Sequence, residues 1–474
     1  MDTSPVAPAD SSGAEAAGDT QGETPTRELL AYSLPESANV FVNAASTNLL
    51  HPILVTGLHV SPALVGTALM VRGLWDAATD PVMGHVSDNT RTRFGRRRPY
   101  IALGGILMAI VLLAMWAFPR GSSEIHIAWH IGICLVLFAT AQTIFSVPYG
   151  ALALELSSTY NGRTRVQLVK TYFSRVPGFV SPYFVSFCFA SWFVDALAGI
   201  RWMATFAAGF ILLASLVAFF GTKERAKVSA TKEKFWHAIG TTLRSVHFLK
   251  IAFIYVALLF TLGAFGAFSY FLTVYYVFGG DVARGTLFSG HVELFAGVLV
   301  LAGVPLVGWA SKRFQKHNAL RIALVLMIIG SALQLVLLDP QRPWLMFISP
   351  FFYSMGIAST FVILGTMLAD VIDADELATG QRREGLFGAV AAFMMKSMGA
   401  VAAGASGFLI SWTGFDAELG GAQAPGVFHN MLWMFAGKGL LLAACLLVLY
   451  RYPLTEQRVA EIQKLLAIRK KTTA

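Results

Sequence analysis

Apolar runs of about twenty residues recur twelve times along this chain, and that recurrence leaves few architectures open. Backbone amides inside a bilayer must be satisfied within their own segment, so runs of this length read as membrane helices. They fall at residues 29–57, 61–87, 99–118, 124–154, 168–192, 200–221, 248–279, 285–311, 318–338, 342–370, 384–413 and 427–451. Only 13% of the 474 residues are charged and the mean hydropathy is +0.61, where a soluble chain carries about 25% charge. The expected fold class is an all-α polytopic membrane protein.

The formal charge of +9 does not point to nucleic acid, because the basic residues sit in short loops between apolar runs. One side collects Arg91, Arg93, Arg96, Arg97, Arg98, Arg163, Arg165, Lys223 to Arg244, Lys312, Arg313, Lys316, Arg382 and Arg383. The other side holds isolated Arg120, Arg201, Arg284 and Arg342. The positive-inside rule then puts both termini in the cytoplasm of a multi-pass protein of the cell inner membrane. Residues 1–28 lack a basic stretch before an apolar core and read as a disordered cytoplasmic tail. Residues 222–247 form a charged linker, and 452–474 an amphipathic cytoplasmic helix and tail. Cys134, Cys188 and Cys445 lie within apolar runs and read as core residues, with no metal-ligand spacing.

The chain repeats itself. Pro81-Val-Met-Gly84-His-Val-Ser87 in the second run has a counterpart in Pro305-Leu-Val-Gly308-Trp-Ala-Ser311 of the eighth, and a basic loop follows each. Leu154-Glu155 precedes Arg163 and Arg165, as Ala369-Asp370 precedes Arg382 and Arg383. Two six-helix halves, 29–221 and 248–451, are the layout of the major facilitator fold, with the solute site between the halves at mid-membrane.

The second run carries the most informative chemistry. Asp76 and Asp80 are spaced i, i+4 and share one helix face. Acids at membrane depth are costly and usually face a cavity or a partner. Pro81 leaves the Ala77 carbonyl without its helical donor, and Thr79 adds a hydroxyl. Oxygens of this kind suit a hard cation. The same pair also suits a proton, since burial and a like-charged neighbour raise a carboxyl pKa. Arg72, four residues earlier, offers Asp76 an intrahelical ion pair as an alternative.

At about 1.5 Å per residue, Asp76, Thr143 and Lys396 each lie roughly 18 Å from one end of their helices, and Asp80 roughly 12 Å. Lys396 is then expected to face the acidic pair from the opposite half. Asn39, Asn43, Gln142, Ser146, Tyr149 and Arg175 are candidates for contact with a polyhydroxylated solute, with helix packing an equal alternative. Tyr270, Phe271, Tyr275 and Tyr276 read as an interfacial aromatic belt. The Arg96-Arg97-Arg98 run reads most simply as orientation charge; Asp88 and Glu155 near it could form cytoplasmic gate pairs with arginines, and Asp88, Arg91, Glu155, Arg163, Asp370 and Arg382 are the candidate gate residues.

These residues resemble the glycoside–pentoside–hexuronide:cation symporters, a group within the major facilitator superfamily. The resemblance rests on Trp75-Asp76-Ala-Ala-Thr-Asp80-Pro81 with Gly84, and on Asn89-Thr-Arg-Thr-Arg-Phe-Gly95. Val147-Pro148-Tyr149-Gly150, Ala369-Asp370-Val-Ile-Asp373 and Tyr452-Pro453-Leu454-Thr455 support it. It implies that Asp76, Asp80 and Thr143 bind a sodium ion, lithium ion or proton, with Lys396 beside them. Positions that bind galactosides in such permeases are Val40, Ser146, Gly150 and Phe173 here, so the solute is expected to differ. The expected function is cation-coupled import of a small, sugar-like solute by a monomer lying among membrane lipids, with no cofactor beyond the coupling cation. Transport of a lysolipid or an exported compound through the same cation site is the alternative, and a non-transporting receptor ranks last. No nucleotide-binding or hydrolytic motif appears, so no enzyme activity is expected.

Overall fold

A computed structural model describes residues 24–157, 160–224, 242, 245–381, 383–450 and 452–473. Its elements are helical throughout. In chain order they are α1 (Thr26–Asn43), α2 (Pro62–Asn89), α3 (Arg98–Met115), α4 (Glu124–Glu155), α5 (Tyr160–Gly178), α6 (Ala196–Gly221) and α7 (Val246–Phe271). Then follow α8 (Val282–Phe314), α9 (Lys316–Leu337), α10 (Ser349–Thr379), α11 (Glu384–Trp412), α12 (Val427–Tyr450) and α13 (Glu456–Thr473). Among the described residues, nine helices are long and apolar enough to cross a membrane by length and composition. The other three of the bundle fall short for local reasons. In α1 the helix continues as π-turns over Ala44–Asn48 and His51–Gly57, α2 carries Arg72, Asp76, Asp80 and Asp88, and α5 begins with basic residues.

Several boundaries differ from the hydropathy reading. The fifth helix starts at Tyr160 rather than 168, because Arg163 and Arg165 are tolerated where the helix leaves the apolar zone. It breaks at Pro177-Gly178 and resumes in short turns over Ser181–Tyr183 and Phe184–Cys188. The tenth runs on to Thr379 and stops at Gly380, whose left-handed φ of 75° ends the helix. The C-terminal α13 folds back along α10 and buries Val459, Ile462 and Leu466.

The two halves meet unevenly. One buried cluster contains first-half residues together with Phe268, Phe271, Phe415 and Phe435 at the end opposite the basic loops. The expected aromatic belt is corrected here: Phe271 and Tyr275 are buried and pack on Phe415. The second buried cluster draws only on residues after 247 and lies toward the basic end. The halves are therefore sealed together at one end of the bundle and separate at the other.

The seam is the pair α2–α11. Gly66 faces Gly404 and Gly407, and Gly73 faces Ala400, so closely that an added Cβ at any of these glycines would overlap the neighbouring helix. Small residues let two helix backbones approach where lipid supplies no hydrophobic drive. His51 extends the seal through a 3.1 Å hydrogen bond to Ser406, as does His59 through a 3.0 Å bond to the Ala417 carbonyl.

Candidate functional site

The glycine seam holds α2 and α11 in register, and where it ends Lys396 meets the two aspartates. Its Nζ lies 2.8 Å from Asp76 Oδ2 and also bonds Asp80 Oδ2. Thr143 on α4 donates toward the other oxygens, 3.0 Å from Asp76 Oδ1 and 3.3 Å from Asp80 Oδ1. Thr79 Oγ1 stands 3.2 Å from Thr143 Oγ1 and also reaches the Trp75 carbonyl at 3.0 Å. Four oxygen-bearing side chains and one ammonium from three helices thus converge, and the pairing of Lys396 with Asp76 and Asp80 crosses between the halves. Thr143 is buried, whereas Lys396 remains 39% exposed in its side chain, so the cluster has one closed wall and one open one.

Among the described residues, Arg72 does not form the alternative ion pair with Asp76. Its Nη2 donates to Gln142 Oε1 at 2.6 Å, and Gln142 Nε2 donates on to Asn43 Oδ1 at 3.4 Å. The long guanidinium leaves its own helix because α4 presents an amide oxygen beside Phe138, over whose ring Arg72 also lies. Asp76 is thereby left to Thr143 and Lys396.

The other sequence candidates divide. Tyr149 is no solute contact: it is buried, stacks on Tyr32, and each tyrosine hydroxyl donates to the other's backbone carbonyl, at 2.8 and 2.9 Å. Lys170 closes over this pair and bonds Glu36 at 2.8 Å, which fastens α5 to α1. Among the described residues, Asn39, Ser146 and Arg175 have no hydrogen-bond partner, and Arg175 is exposed.

The candidate gate residues pair within each half. Asp88 pairs with Arg97 at 3.1 Å, and Glu155 pairs with Arg97 at 3.0 Å and with Arg96, the arginines of the run beside them. Arg163 donates to the Ser157 carbonyl. Asp370 takes Lys316 at 2.8 Å, and Arg382 lies outside the described residues. The pattern repeats between halves: an acid at the end of α4 or late in α10 bonds the first basic residues of α3 or α9. Those helix starts are its neighbours in the bundle, whereas the basic residues next in sequence lie across a turn. At the same end the Glu224 carboxylate caps α3, accepting from the N–H groups of Arg96 and Arg97 at 2.8 Å and of Arg98 at 3.1 Å.

A cavity of about 410 Å³ opens between the halves on the sealed side of the ion cluster. Thr47, Asn48 and His51 from the π-turns of α1 face it, with Tyr270 of α7 and Glu293 of α8 opposite. π-turns interrupt the regular ladder and are frequent at functional sites. Leu69 and Ala403 line it too, each seven residues from Asp76 or Lys396, or about 10 Å along the helix. Sequence reading missed Thr47, Asn48 and His51 because π-turns have no periodicity signature, although a histidine inside an apolar run was visible.

The family model described as MFS/sugar transport protein matches residues 31–456. The chain belongs to that family. Within it, the isoprimeverose transporter of Lactiplantibacillus pentosus is 25% identical, over 92% of this chain and 90% of its own length. The sodium-dependent lysophosphatidylcholine symporter 1-B of Danio rerio is 24% identical, over 86% of this chain and 83% of its own. Among solved structures, a bacterial homolog of the human lysosomal transporter Spinster superposes with a TM-score of 0.66 at 15% identity, covering 90% of this chain and 97% of that one. The fold is the twelve-helix major facilitator fold, in a multi-pass membrane protein.

Proposed function

We propose that this protein is a secondary symporter that couples inward movement of a cation, proton or sodium, to import of a small sugar-like solute. The single observation that carries this is the bond of Lys396 on α11 to Asp76 and Asp80 on α2, at the end of the seam between the halves. A cation arriving at Asp76, Asp80 and Thr143 competes with the Lys396 ammonium for the same carboxylate oxygens. Bound, it loosens a contact between halves, and the free energy of that contact then depends on the ion. Solute in the inter-half cavity gains or loses affinity by the same factor, which is coupling. The names of the relatives support a cation-coupled symporter, and the isoprimeverose transporter supports a glycoside-like solute.

With the basic loops cytoplasmic, as the positive-inside rule requires, the sealed end is external and this conformation faces inward. Asp88, Glu155 and Asp370 then hold the loops of each half in shape. Proteoliposomes given labelled sugars, with and without a sodium or pH gradient, test the proposal. Uptake above equilibrium only when a gradient is imposed supports it, and gradient-indifferent uptake removes it. The lysophosphatidylcholine relative makes a lysolipid the second reading, and the same vesicles offered that lipid decide between them.

A further inference from the structure

α1 enters the bundle and α6 leaves it at the basic end, packed so closely that Ala31 leaves no room for a Cβ on Gly221. Phe173 of α5 stands beside them, tied to α1 by the Ser37 hydroxyl, which donates to its carbonyl at 2.6 Å. An open groove of about 830 Å³ runs between the three helices. Its walls are apolar and include Leu30, Leu34, Phe173, Leu213 and Phe220, and Leu30, Leu213 and Phe220 are exposed. Among the described residues, Arg27 is the one charged residue that lines it. Seven residues separate Arg27 from Leu34 and eight separate Leu213 from Gly221, so the groove runs about 10–12 Å along the helices. One leaflet of a bilayer supplies about 15 Å of hydrocarbon, so the groove spans most of a leaflet and ends in a charge.

Arg27 is exposed and, among the described residues, its guanidinium has no hydrogen-bond or ion-pair partner. Its chain neighbours bring two more cations to the same place. Arg165 Nη2 donates to the Thr26 hydroxyl at 3.0 Å, and the Lys223 N–H donates to the Glu28 carboxylate at 2.5 Å. Glu28, the acid among them, is buried, so the face toward the groove mouth is positive. We propose that this groove binds an anionic phospholipid from the leaflet at the basic end. An acyl chain lies along Leu30, Leu34, Leu213 and Phe220, and the phosphodiester sits on Arg27. A guanidinium directs two N–H groups at once toward phosphate oxygens. A zwitterionic headgroup would bring its own ammonium up to Arg27, Arg165 and Lys223 and lose that advantage. The site lies apart from the ion cluster and the cavity between the halves, so it stands independently of the symport reading.

The full-length protein is placed in phosphatidylcholine nanodiscs with a trace of phosphatidylglycerol carrying a diazirine in one acyl chain, and labelled peptides are mapped after irradiation. Photoreactive phosphatidylcholine at the same trace level is the comparison. Label from phosphatidylglycerol should concentrate at 27–34 and 213–221, about fivefold or more above that from phosphatidylcholine. Unlabelled phosphatidylglycerol should displace it, and inorganic phosphate should not. Arg27→Gln should lower that label about fivefold, the worth of one basic residue at an anionic surface, with label on other helices within about twofold. Arg27→Lys should keep most of it. Leu213→Trp, which fills the groove, should lower label there from both lipids alike. Label spread evenly over the membrane-facing helices, equal label from the two lipids, displacement by phosphate, or undiminished label in Arg27→Gln would each overturn the inference. Should Arg27→Gln resist purification, the comparison of the two lipids on the wild type decides by itself.

Discussion

Asp76 and Asp80 each hold one oxygen toward Thr143 and one toward Lys396, so every partner in the cluster is shared. Replacing either acid by asparagine removes an anionic ligand while keeping the shape. Asp76→Asn and Asp80→Asn should each weaken cation binding by about tenfold to a hundredfold, the worth of one charge-assisted contact, and abolish concentrative uptake while solute exchange persists. Full accumulation by both variants would contradict this. Lys396→Ala should change apparent cation affinity and slow active uptake, and Lys396→Arg should rescue only in part, since a planar guanidinium cannot sit between both carboxylates as a point charge does. A double-mutant cycle of Lys396 with Asp76 on cation binding reads the cross-half energy directly, and additive effects would deny it. The cluster was legible in the sequence because depth along a helix is simple arithmetic and charged residues at mid-membrane are few. What a side chain meets sideways was not legible. Arg72 turned to Gln142 and Tyr149 to Tyr32 because helix rotation and neighbour identity decide those contacts.

Among the elements, α2 and α11 form the joint on which the ion cluster depends. Gly73 and Gly404 admit no Cβ against Ala400 and Met70. Gly404→Leu should wedge the seam apart and disfavour the sealed arrangement, seen as greater labelling of a cysteine placed at Thr47 from the side of the sealed end. Unchanged labelling would mean that the seam yields elsewhere. At the other end, Glu224→Gln should cost about 1–3 kcal/mol of stability, since three α3 N–H groups lose a charged acceptor at a helix N-terminus. A melting temperature equal to wild type would count against that cap. Helix positions followed from hydropathy wherever runs were apolar. They failed at α5, whose first turns are basic, and at the π-turns of α1, which keep an apolar composition while changing the hydrogen-bond ladder. The cap could not be read, because Glu224 lies far along the chain from Arg96 and only the folded bundle brings them together.

Across the whole molecule, two six-helix halves share one sealed end and one open end, with the ion cluster where the seal stops. The repeat of Pro81 to Ser87 by Pro305 to Ser311 made the two halves legible, and the acid of α4 or α10 bonded to the start of α3 or α9 shows the repeat persisting in space. The acidic pair belongs to the first half alone and its lysine to the second, so in the proposed mechanism ion binding bears on the relation between halves and not on either by itself. The most direct measurement is solute-driven cation flux in proteoliposomes holding the wild-type protein and, separately, Asp76→Asn. With no imposed gradient, adding a transported sugar outside should carry protons or sodium inward through the wild type, and the Asp76→Asn vesicles should admit sugar with no accompanying cation. Sugar entry without cation movement in the wild type, or undiminished cation movement in the variant, would contradict the coupling of this cluster to transport.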